Sequence, residues 1–211
     1  MTRSIFTVLG FGVLLVALAG AQKKAAPKAS AHSDKKASLQ PADPHDKQAL
    51  LQEALSAAPA DLAKNVTVKD WDGNVLKDGS GPYTCFPTPP AMRKMGREPM
   101  CLDKTWQAWA DAWMNKKEFK ADQVAIAYML EGDTGASNTD PYATGKTDDN
   151  QWVVSGPHTM VLVPDPAALD GLPTDPSNGG PWVMWKGSPF AHIMVPVEKQ
   201  ASGGATMHMH H

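Results

Sequence analysis

Apolar and polar positions mark out a short series of elements. Lys47 to Ala57 (KQALLQEALSA) has apolar residues at helical spacing among strong helix formers, and Pro59 ends it. Val66 to Trp71 alternates as a strand does. Asp72-Gly73 is a hairpin turn signal, with Asn74 to Leu76 as the return. Asp78 to Gly81 marks a second turn before Tyr83 and Cys85. Asp103 can cap the helix that follows, in which Trp106, Trp109 and Trp113 fall on one face. Val124 to Leu130 is an apolar run of strand length, and Glu131 to Gln151 is a long polar loop. Strands are predicted at Trp152 to Val154, continuing through His158 to Val163, then at Trp182 to Trp185 and Ala191 to Val197. Asp165 to Gly180 is a turn-rich connection. Helices first and strands later, without alternating βα units, predict an α+β domain. Its sheet should be mainly antiparallel, with one or two packed helices and long polar loops.

The ends of the chain read differently. Arg3 precedes an apolar run from Ile5 to Leu18, about the length of a signal h-region and short for a membrane span. Ala19-Gly20-Ala21 offers small residues for cleavage before Gln22. Residues 1–21 therefore read as a signal peptide, which would be the chain's only membrane contact if left uncleaved. Residues 22–46, rich in Ala, Lys, Ser and Pro, have little to bury and read as a tether. A single domain is expected over 47–199, followed by a flexible Met/His-rich tail over 200–211.

Charge narrows the function. With 20 basic and 22 acidic side chains the formal net charge is -2, so binding nucleic acid by bulk charge is excluded. The arginines are only Arg3, Arg93 and Arg97, too few for a bidentate phosphate site. Export to the periplasm or beyond implies an oxidising compartment, in which Cys85 and Cys101 are expected to pair. The segment between them would then be a stapled surface loop. A thiol metal site helped by Met92, Met95 and Met100 is the alternative.

Four stretches, WQAWADAWM, SNTDPYATG, GPHTMVLVPDP and GGPWVMWKG with AHIMVPV after it, resemble a group of exported bacterial proteins. The similarity covers roughly residues 47–197. It implies an independent domain and supplies no activity or ligand residues.

Candidate chemistry begins with histidine and methionine. In the expected domain His158 and His192 are the only histidines, and each opens a His-x-Met triplet, with Met160 and Met194. On a strand, residues i and i+2 share a face, so each triplet sets an imidazole beside a thioether. That donor set favours copper, the thioether selecting copper(I). Exported copper chaperones use a similar pair, but the likeness stops at the triplets. Met is also ordinary core filler, and a buried His can be held by one backbone bond. The outcome depends on which face Thr159 and Ile193 leave to His and Met. The tail adds His208 and His210, and short His-rich tails bind metal.

Other signals are weaker. Asp133-Thr134-Gly135 matches the aspartic protease triplet but has no second copy. Asp133, Asn138, Asp140, Asp148, Asp149 and Asn150 are hard oxygen donors for calcium, without EF-hand spacing. The leading reading is an exported domain binding copper through His158, Met160, His192 and Met194. One alternative is a ligand-binding or interaction module using exposed tryptophans. Another is a hydrolase in which His158 or His192 acts with Asp133 or Asp140.

Overall fold

The computed structural model describes residues 40–197. The signal peptide, most of the tether, and the tail with His208 and His210 lie outside the described residues. Within them the chain is α+β with a mainly antiparallel sheet, as the element order predicts.

Helix α1 (Lys47–Leu55) starts where Asp46 accepts hydrogen bonds from the Gln48 and Ala49 amides. A short α2 (Ala60–Ala63) follows Pro59, where the sequence gave no helix signal. Next come β1 (Thr67–Lys69), β2 (Val75–Lys77), β3 (Thr84–Phe86) and β4 (Met100–Leu102). Helix α3 (Lys104–Met114) is capped by Asp103, whose Oδ1 accepts from the Trp106 amide. Its Oδ2 accepts from the Ile126 amide, tying the helix to β5 (Ala125–Met129). A two-residue pair, β6 (Ala136–Ser137) with β7 (Trp152–Val153), closes off the long polar loop. Then follow β8 (His158–Leu162), β9 (Trp182–Met184) and β10 (His192–Pro196). Between β8 and β9 the chain makes two 3-10 turns, Pro166–Leu169 and Pro176–Asn178. Each is capped by the aspartate before its proline, Asp165 and Asp175.

The eight-stranded sheet runs β2-β1-β3-β4-β5-β8-β10-β9, and only β1 with β3 is parallel. Alternation along β4 splits the core in two. Cys101 faces Val66, Val68 and Ala54 under α1, whereas Leu102 faces Trp106 and Trp109 of α3. The two helices therefore cover opposite faces at different halves of the sheet.

Three expectations need correction. Cys85 and Cys101 are disulfide-bonded, but they do not staple a surface loop. They sit directly opposite each other on β3 and β4, with Cα atoms 4.0 Å apart, and both are fully buried. The bond rivets two core strands. The connection between them is itself partly buried through Pro87, Thr88, Glu98 and Pro99. Second, the stretch from Trp152 to Val163 is not one strand. Ser155-Gly156-Pro157 breaks it, and β7 and β8 belong to different sheets. Third, the end of the tether is docked. The Ala42 amide donates to Glu53, a buried carboxylate on α1, and Arg93 donates to the Ala42 carbonyl.

Candidate functional site

β8 and β10 are neighbours, and burial alternates along both with His and Met inward. His158, Met160, His192 and Met194 are 1, 9, 1 and 1% exposed. Thr159 and Ile193 take the outer face. All four predicted residues thus share one buried face beneath α3.

The register places them further. Met160 lies directly opposite Met194, and Pro196 lies opposite His158. The histidines therefore stand at opposite ends of the face, four residues of strand rise or about 13 Å apart. Two more methionines join them. Met129 on β5 is directly opposite His158, and Met184 on β9 is directly opposite His192. Both are buried in the same core. Side chains opposite each other in an antiparallel pair have Cβ atoms about 5 Å apart. Each imidazole thus has one thioether two residues along its own strand and another across from it. Met129 and Met184 were not legible in the sequence, because only the pairing of distant strands brings them in.

Both rings are oriented the same way. His158 Nδ1 is 2.7 Å from the Gly156 carbonyl oxygen and His192 Nδ1 is 2.9 Å from that of Phe190. A carbonyl only accepts, so Nδ1 carries the hydrogen and donates, and Nε2 is left with a bare lone pair. His158 Nε2 is buried and has no hydrogen-bond partner among the described residues. Burial holds His192 down to about 4, opposed by the Phe190 carbonyl and assisted by repulsion from His158. Burial also lowers His158, while nearby Asp133 and the Gly156 carbonyl pull the other way. Asp133 is raised by its own burial, against the attraction of His158. Both imidazoles are therefore neutral at physiological pH.

The surroundings of the two rings differ. Asp133 Oδ1 accepts from the Gly135 and Ser155 amides, which fixes that carboxylate near His158. Glu98, raised by burial, lies nearby and accepts from Thr134. His192 instead lies edge-to-face with three indoles, at centroid distances of 5.5 Å to Trp106, 5.5 Å to Trp109 and 5.2 Å to Trp185. Trp185 holds an unfavourable φ of 56° for a bulky residue. Its amide donates to the Asn138 carbonyl and its indole Nε1 to Ser137 O. These bonds lay Trp185 flat against Trp109, 5.6 Å and 2° apart.

Other expectations fare differently. None of the seven tryptophans is exposed; Trp106, Trp109, Trp182 and Trp185 are buried and Trp71, Trp113 and Trp152 half-buried. The proposed module of exposed tryptophans is corrected accordingly, because their stripe packs on the sheet. Trp152 does border an open cavity of about 290 Å³ with Gln151, Val153, Thr174, Asp175 and Pro176, away from both histidines. Several oxygen donors of the polar loop are engaged by protein groups within and beside the loop. Asn138 bonds Gln151, Thr174 and Trp182, Asn150 bonds Thr147 and Gly145, and Asp140 accepts from the Tyr142 amide. Among the described residues no three His, Cys, Asp or Glu side chains form a metal-holding group. No helix among them is long and apolar enough to cross a membrane. Comparison with protein-family models, curated proteins and solved structures finds no match for this chain.

Proposed function

We propose that the chain is an exported binding domain for copper(I), taken up on the inward face that carries His158, Met160, His192 and Met194. The observation that carries this reading is His158 Nε2, a buried acceptor without a partner beside thioether sulfur. A buried polar atom left unpaired costs roughly 1–3 kcal/mol, and a bound cation would remove that cost. Supporting features agree in chemistry. Imidazole with thioether is a soft donor set that selects copper(I) over hard cations. Each ring donates a hydrogen bond from Nδ1–H to a backbone carbonyl, the arrangement that orients a metal-binding histidine. Neutral imidazoles are already in the ligating form. The signal-like leader and the disulfide support export.

A hydrolytic reading has the Asp133–His158 neighbourhood in its favour and Asp140, in an exposed turn, against it. The open cavity at Trp152 includes neither residue of the pair.

The test uses the full chain with Met207 and Met209 changed to Leu and His208, His210 and His211 changed to Ala, so that the tail cannot bind metal. Copper(I), kept reduced with ascorbate, should raise the melting temperature. A ligand that binds only the native state adds about 2.7 kcal/mol at a hundredfold excess over Kd, or ~5–10 °C for a domain of this size. His158→Ala should reduce the rise. Met160→Leu and Met194→Leu keep the volume and should weaken it with little change in the metal-free protein. Calcium should have no effect. A melting temperature indifferent to copper(I) refutes the proposal.

A further inference from the structure

The four-strand patch around the candidate site has internal symmetry. A two-fold axis through the Met160–Met194 pair exchanges β8 with β10 and β5 with β9. It also exchanges His158 with His192 and Met129 with Met184. Each histidine even takes the same local support, a hydrogen bond from Nδ1 to the carbonyl two residues before it.

The histidines cannot meet on one ion in this arrangement. Nitrogen and sulfur bind soft metals at about 2.0–2.3 Å, so two donors of one ion lie within roughly 4.6 Å of each other. The Cα positions of the two histidines lie about 13 Å apart along the strands, and each Nδ1 bond runs to the carbonyl two residues earlier, away from the other histidine. Neither is free to swing, because one is pinned to Gly156 and the other is pinned to Phe190 and enclosed by three indoles.

Resting on the copper(I) reading above, we propose that the inward face holds two soft-metal positions. One is bounded by His158, Met129 and Met160, and the other by His192, Met184 and Met194. Each offers one imidazole nitrogen and two thioether sulfurs, a neutral three-donor set suited to a monovalent ion. Their environments differ. Asp133, fixed by the Gly135 and Ser155 amides, stands near the His158 position. The second position is packed instead among the indoles of Trp106, Trp109 and Trp185 around His192.

Silver(I), a stable monovalent ion with the same soft preference, is the probe. It is titrated into the full chain with the tail substitutions described above, and bound ions are counted by native mass spectrometry. Two ions per chain are expected. Tryptophan fluorescence should be quenched by the ion at His192 and not by the ion at His158. Met129→Leu with Met160→Leu should lose one ion and keep the quenching. Met184→Leu with Met194→Leu should lose the other ion and the quenching with it. The count on the unsubstituted face decides the matter even if a double variant fails to fold. One ion per chain overturns the two-position inference and leaves the copper(I) reading standing. No silver(I) bound overturns both.

Discussion

Acid should destabilise the metal-free protein through His192, and the size of the effect follows from its burial. The imidazole is 1% exposed and its pKa is pushed from the ordinary 6.5 to about 4. Between those values the unfolded chain binds a proton at this residue and the folded chain does not. Stability therefore rises with pH across the window and is lost as pH falls from 6.5 towards 4. One pH unit of such a difference is worth about 1.4 kcal/mol, so the whole window removes about 3 kcal/mol. Below the folded pKa both states hold the proton and the slope vanishes. The perturbation is His192→Leu, which cannot titrate. It also strips the Phe190 carbonyl of its donor, but that loss is the same at every pH and cancels when slopes are compared. The assay is urea unfolding followed by tryptophan fluorescence, with a chelator present, at several pH values across the window. His158, Asp133 and Glu98 titrate in both proteins, so the difference between the two stability curves is dominated by His192 and its interaction with His158. A variant that loses stability with acid as steeply as the parent would refute the reasoning, since the ring would then not be held neutral by its surroundings.

Two further outcomes are expected. Cys85 and Cys101, separated by 16 residues, should show no free thiol by mass spectrometry without reductant. Replacing both with Ala should lower stability by about 3 kcal/mol in the loop-entropy view; quantitative alkylation of the untreated protein would refute the pairing. Gly135 has φ +113°, and a Cβ there would run into the Trp152 indole. Gly135→Ala should therefore cost about 2 kcal/mol or more in urea unfolding, and an unchanged midpoint would show that the β6–β7 pair is dispensable.

Local chemistry made some elements legible and distance in the chain hid others. Helix α3 could be read from Asp103 and the tryptophan spacing, because capping and amphipathic period lie within a dozen residues. The strands at β5, β9 and β10 were legible as apolar runs. β3 and β4 were not, because three-residue strands are too short to show alternation, and their pairing places Cys85 opposite Cys101. The break between β7 and β8 was written in Ser155-Gly156-Pro157, and the apolar residues on either side obscured it. At the site, the sharing of a face by His158 and Met160 follows from strand period alone. Whether that face looks in or out does not, since it depends on α3 crossing this half of the sheet. Met129 and Met184 enter only through register, which no local pattern encodes.

Packing by itself does not explain the composition of the face. Leu in place of Met160, Met194, Met129 or Met184 would fill much the same volume with a stiffer side chain. An apolar residue in place of either histidine would remove a buried polar ring that needs a backbone carbonyl for one nitrogen. At His158 the other nitrogen is left unpaired. Such a residue would also remove the acid sensitivity worked out for His192. At His158 the unpaired nitrogen costs the metal-free fold stability, while strand register sets a methionine opposite each histidine. A cation bound only by the folded state reverses that balance by mass action. On the copper(I) proposal the same residues would weaken the empty protein and strengthen the loaded one, which is the behaviour a binding domain needs.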